Sequence, residues 1–179
     1  MAPHIAADEP GDPSDTALVA YANERVADDE AATERVEVEW AATSWTSLLS
    51  SSGGPLELSM VDGSRVAGRL VDTGDSWGLM AAGDQFVLVR LQHVASVRGA
   101  ISVVPRAGRS SRGVGWVFRR WARMRSALSV QLVSGDRLHG TIGQVLADAV
   151  QLVVDLESPR RVLIPTPAIV CASGDPFSD

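Results

Sequence analysis

The chain has 179 residues, 45% of them hydrophobic, enough to bury a core and too many for wholesale disorder. One cysteine, Cys171, excludes an internal disulfide framework and fits a reducing cytosol, and with only three histidines (His4, His93, His139) no zinc-ligand spacing can be drawn. The net charge of −6 hides a division, because residues 1–39 hold 11 acids and 2 Arg whereas residues 85–135 hold 9 Arg and no acid.

Lys is absent throughout. A GC-rich genome by itself favours Arg, but Arg also brings a planar fork suited to carboxylates and phosphates. The Arg block is therefore the most function-like feature of the composition.

In chain order, residues 1–15 ("MAPHIAADEPGDPSD") are rich in Pro, Asp and Gly and read as a disordered tail. Acids stand where a secretory signal needs Arg or Lys and an apolar run. No stretch approaches the roughly 18 apolar residues of a membrane span, so a cytoplasmic protein is expected. Residues 16–52 read as an acidic helical segment, with Asp15 as a cap and Val38, Ala41, Trp45 and Leu48 at near-helical spacing. "RVEVEW" within it also alternates as a strand does, and "SSSGGP" ends the segment.

The next segment, 55–104, contains a phrase that returns. "DGSRVAGRLV" (Asp62 to Val71) and "SGDRLHGTIG" (Ser134 to Gly143) align at an offset of 72. Before them, Leu56, Leu58 and Met60 fall on Leu128, Val130 and Leu132, alternating with polar residues as half-buried strands do. The Gly of each pair tolerates the positive φ of a tight hairpin. Further on, "VLVRLQHVASVRG" (Val87 to Gly99) aligns with "VLIPTPAIVCASG" (Val162 to Gly174) at an offset of 75. Gly68 and Gly140 sit inside the second strand of each unit, where a sharp bend or a close backbone approach would require them. The reading is a duplicated unit of four or five short bent strands, each a small barrel.

Between the units, "PRAGRSSRG" reads as a linker and "GWVFRRWARMRSAL" (Gly115 to Leu128) as a helix, together spanning residues 105–127. Val117, Trp121, Met124 and Leu128 form its apolar face, while Arg119, Arg120 and Arg123 lie mainly off it. Arg119 and Arg123 repel each other by a few tenths of a kcal/mol, which an anionic partner would offset. Three partners fit: the acidic N-terminal region of the same chain, nucleic-acid phosphate, or anionic lipid or an acidic protein. The residues assigned to phosphate are Arg98, Arg106, Arg109, Arg112, Arg119, Arg120, Arg123 and Arg125, with Trp116 as a platform for a stacked base. The second unit then fills 128–174, and 175–179 form a tail.

The run Gly-x4-Gly-x-Leu in "GSRVAGRL", with "VRG" closing the unit at Val97 to Gly99, resembles the Sm and LSm proteins. The tandem arrangement resembles an uncharacterised bacterial family of double Sm-like barrels, often labelled Fis-type transcription regulators. The resemblance spans residues 55–174. It implies SH3-like barrels that assemble and bind RNA. Where Sm proteins place a base-holding Asp and Asn, this chain has Gly74 and Gly78. The full expectation is a mainly β protein of two tandem Sm/SH3-like barrels, an N-terminal acidic helix and an Arg-rich connecting helix.

Catalytic motifs are approached but not met. "GDSWG" (Gly74 to Gly78) matches the G-x-S-x-G elbow, yet Ser76 lies between two short strands rather than ahead of a helix. "GSRVAGRL" has the glycine spacing of a phosphate loop, but Arg69 and Leu70 replace its Lys and Ser/Thr. His93 and His139 have no assignable proton-transfer partner. The expectation is a non-enzymatic binding or regulatory protein with no cofactor and no metal. It would take nucleic acid, RNA ahead of DNA; the alternative is an interaction or scaffold module that oligomerises through edge strands.

Overall fold

Alternating Leu56, Leu58 and Met60 bury one face of a strand, and in the computed structural model, which describes residues 44–49, 52–99, 110–154 and 158–177, they lie on β1 (Pro55–Met60). A short helix, α1 (Trp45–Leu49), precedes it. After β1 come β2 (Arg65–Thr73), β3 (Trp77–Ala82), β4 (Gln85–Arg90), a 3-10 turn (Leu91–His93) and β5 (Val94–Gly99). The second helix, α2 (Gly115–Met124), then leads into β6 (Ala127–Leu132), β7 (Arg137–Val145), β8 (Ala149–Val154), β9 (Arg160–Pro165), a 3-10 turn (Thr166–Ala168) and β10 (Ile169–Gly174).

Strand lengths match between the halves, and so do the irregularities. Hairpin glycines Gly63 and Gly135 have φ of 83° and 90°. The β2–β3 register slips between Leu70 and Asp72, and the β7–β8 register slips at the equivalent place, between Ile142 and Gln144. Such bulges bend and twist a strand, which is why a nine-residue β2 or β7 can serve two directions.

The expectation of two closed barrels is overturned. The ten strands of the described residues form one antiparallel open sheet in the order β5-β1-β2-β3-β4-β10-β6-β7-β8-β9. Within a half, the 3-10 turn carries the chain from β4 across to β1, where Leu58 opposes Val97. Strand β4 therefore never meets β5. Its outer edge is taken by β10 of the other half, with Val89 opposite Cys171 and Leu88 opposite Ala172. Pairing both edges of the apolar β4 satisfies its backbone groups and leaves Leu88 and Val89 with no exposed surface.

The core follows this merger rather than the halves. One cluster joins Trp77, Leu79 and Leu88 from the first half to Val117, Phe118 and Trp121 of α2 and to Val130, Leu152 and Ala172 of the second. The other gathers Leu49, Leu58, Met80 and Val89, with Val170 contributed by β10. Each such side chain contributes about 1.5–3 kcal/mol when fully buried.

The helices also depart from expectation. Helix α2 ends at Met124 rather than Leu128, because Arg125 adopts a left-handed φ of 54° and the Ser126 N–H turns back to the Trp121 carbonyl at 3.2 Å. Leu128 belongs to β6. Met124 is 45% exposed and does not share the buried face. Of the acidic segment 16–52, α1 falls among the described residues while 16–43 lies outside them, as do 1–15 and linker residues 105–109.

Candidate nucleic-acid interface

Ala, Arg and Met favour helix, and the α2 sequence "GWVFRRWARM" has no Pro and one β-branched residue. Its buried stripe is Val117, Phe118 and Trp121, the spacing of one helical face. Trp121 is locked by its Nε1–H, which donates to the Asp175 carbonyl at 3.0 Å. Just before the helix, the Arg112 carbonyl accepts from Trp77 Nε1 at 2.9 Å, tying the segment to the β2–β3 connection.

With that face turned inward, Arg119, Arg123 and Arg125 are exposed. Arg119 folds back over Gly115, where a Cβ would lie 3.2 Å from its Nη1. Arg123, in the last turn, faces the negative end of the helix dipole and is favoured there. The ion pairs among the described residues join Arg65 and Arg98 to Glu57, at 3.9 and 3.3 Å. Among the described residues no carboxylate pairs with Arg112, Arg119, Arg123 or Arg125. The acidic residues 24–39, weighed above as an internal partner, lie outside the described residues.

Trp116 is not the open platform expected. It is half-buried, with the Arg112 guanidinium 4.5 Å and the Arg120 guanidinium 5.5 Å from its ring centroid. Arg120 also covers the Phe177 ring at 4.7 Å. Phe177 meets Phe86, Trp116 and Trp121 edge-on, at centroid distances of 4.9, 6.0 and 6.0 Å. Arg112 and Arg120 are thus bound to aromatic faces, an attraction of about 0.5–1 kcal/mol each at exposed sites. Sequence reasoning passed over Phe177, which lies in the tail and gives no periodic signal.

The proposed phosphate contacts are not all in one place. Arg98 lies on β5 against Glu57, whereas Arg112, Arg119, Arg120, Arg123 and Arg125 are on or beside α2; Arg106 and Arg109 fall outside the described residues. Ser76 sits in the β2–β3 connection, its carbonyl accepting from the Leu91 N–H at 3.1 Å. His93 Nε2 lies 2.8 Å from the Pro167 carbonyl, a polar clasp across the β4–β10 junction, and His139 is exposed on β7.

Among the described residues no group of three His, Cys, Asp or Glu side chains is placed to hold a metal ion. No described helix is long and apolar enough to cross a membrane. No protein-family model matches the chain, and no curated protein matches it.

Proposed function

We propose that the protein is a non-catalytic nucleic-acid-binding module whose contact surface is the arginine face of α2. The exposure of Arg119, Arg123 and Arg125 within an acid-free stretch of chain, without a described carboxylate partner, carries this reading. Guanidinium groups at this spacing meet successive phosphates and supply affinity with little base reading. Arg112, its guanidinium 4.5 Å from the Trp116 ring centroid, adds charge at a fixed position. The likeness of "GSRVAGRL" to the Sm and LSm phrase is what puts RNA ahead of DNA.

Fluorescence anisotropy with a single-stranded RNA oligonucleotide tests this. About four phosphate contacts give a slope near −3 in log K against log salt, and each arginine removed lowers the slope by roughly 0.7. Arg119→Glu with Arg123→Glu should abolish binding while lowering stability only slightly, by about 0.3–1 kcal/mol for the charge reversed at the negative end of the helix. Failure of the wild type to bind RNA or DNA at low ionic strength overturns the proposal.

A further inference from the structure

The internal β4–β10 junction has a half-built counterpart at each end of the sheet. Strand β9 is the second-half equivalent of β4, and β5 is the first-half equivalent of β10, yet both are terminal in the strand order of the described residues. The consequence shows in single residues. Leu88 on β4 is fully buried, whereas its equivalent on β9, Leu163, is 57% exposed. Leu88 is paired with Ala172 of β10 and shares one core cluster with Val117 of α2, which is also fully buried. The equivalent of Val117 in the first half is Trp45 on α1, and it is 43% exposed. Beside Trp45 runs an open groove of about 490 Å³, lined by Trp45, Leu91, Gln92 and Val94–Val97 along the outer edge of β5.

An apolar knob without a socket and a socket without a knob thus sit at opposite ends of one sheet. From this we infer that two copies of the chain join head to tail, β9 of one pairing antiparallel with β5 of the other. Transferring the internal register sets Leu163 opposite Val97 and Ile164 opposite Ser96, as Leu88 opposes Ala172 and Val89 opposes Cys171. Leu163 then enters the Trp45 groove, and the backbone groups of both edges, which have no strand partner among the described residues, pair with each other. The contact is heterologous, so each added copy presents the same free edges again. Arg160 and Arg161 lie along the β9 edge, while Arg98 on the β5 edge is offset by Glu57 at 3.3 Å. The inference is independent of the nucleic-acid proposal.

Light scattering on the full chain tests it, with Trp45→Glu and Leu163→Glu as variants at exposed positions. Wild-type mass should rise with concentration to at least twice the monomer. Either variant alone should stay monomeric, because each lacks one half of the contact. Mixed together they should form a one-to-one dimer and stop there, since one intact Leu163 meets one intact Trp45 groove. A wild type that is monomeric throughout overturns the inference. So do variants that associate as the wild type does, or a mixture that fails to pair while the wild type assembles. Unchanged circular dichroism and melting of both variants separate loss of the contact from loss of the fold.

Discussion

Gly68 and Gly140 make the same close approach in the two halves: a Cβ on either would run into a backbone carbonyl, that of Ala81 for Gly68 and that of Val153 for Gly140. Backbone cannot yield as the end of a side chain can. Gly68→Ala and Gly140→Ala should each lower stability by about 1–3 kcal/mol, the usual cost of overpacking. Gly53→Ala, with nothing within 4 Å of the added methyl, is the matched control and should melt as the wild type does. Thermal denaturation of the three variants decides it.

Trp121 is fully buried and spends its indole N–H on the Asp175 carbonyl. Trp121→Phe keeps most of the apolar volume but loses that hydrogen bond, and because Asp175 is exposed the cost should be about 0.5–1.5 kcal/mol. Trp121→Ala should cost about 3–5 kcal/mol through the cavity left among Phe118, Leu128 and Ala172. Denaturant midpoints at constant slope would show both effects.

Arg90 ends β4 at 6% exposure, its Nε lacks a partner, and burial lowers the pKa of its guanidinium. Its second-half equivalent is Pro165, so the fold does not require a charge here. Arg90→Met should leave stability unchanged or raise it by about 1 kcal/mol, unlike most changes at buried positions. A clear loss in chemical denaturation would show that the guanidinium is better satisfied than its Nε suggests.

Asp62 and Cys171 respond to pH in opposite senses. Burial by itself raises the Asp62 carboxyl, but hydrogen bonds from Ser64 Oγ at 2.6 Å and Ser64 N at 2.9 Å, helped by the Arg137 charge, bring it below the ordinary carboxylate value. Its contribution to stability is present at neutral pH and is lost as pH falls through the folded-state value. Asp62→Asn should therefore flatten the acid limb of a stability–pH curve. The Cys171 thiol moves the other way, pushed up to about 11 by burial and then by the Asp62 charge, with Arg137 opposing. Its contribution is whole below the ordinary thiol value and is lost as pH rises toward the folded one. At pH 8 iodoacetamide should modify native Cys171 about 100-fold more slowly than an unperturbed thiol, reflecting its smaller thiolate fraction.

Strand positions were legible because Leu56, Leu58 and Met60 alternate and because Gly63 and Gly135 punctuate their hairpins; the offsets of 72 and 75 between the two phrases are the offsets between equivalent strands. Which strand β4 would pair with was not legible. "VLVR" and "VLIP" look alike, yet Leu88 is enclosed and Leu163 is bare, and the difference is made by β10, far away in sequence. On α2, helical spacing correctly separated Arg119 and Arg123 from Val117 and Trp121. It could not foresee the setting of Trp116, which depends on Arg112 before the helix and Phe177 in the tail. Nor did anything announce the end at Met124, since Arg125 takes the left-handed turn usually left to glycine.

The pairing of Phe86 with Gly174 and of Leu88 with Ala172 has a consequence for biosynthesis. As the chain leaves the ribosome, β1 to β5 can fold soon after they emerge, but the outer edge of β4 must wait until about eighty further residues are translated. In that interval a strand as apolar as "FVLV" offers its backbone to any neighbouring nascent chain. Slowed translation between β5 and β10 should therefore lengthen the most aggregation-prone moment in the life of this protein.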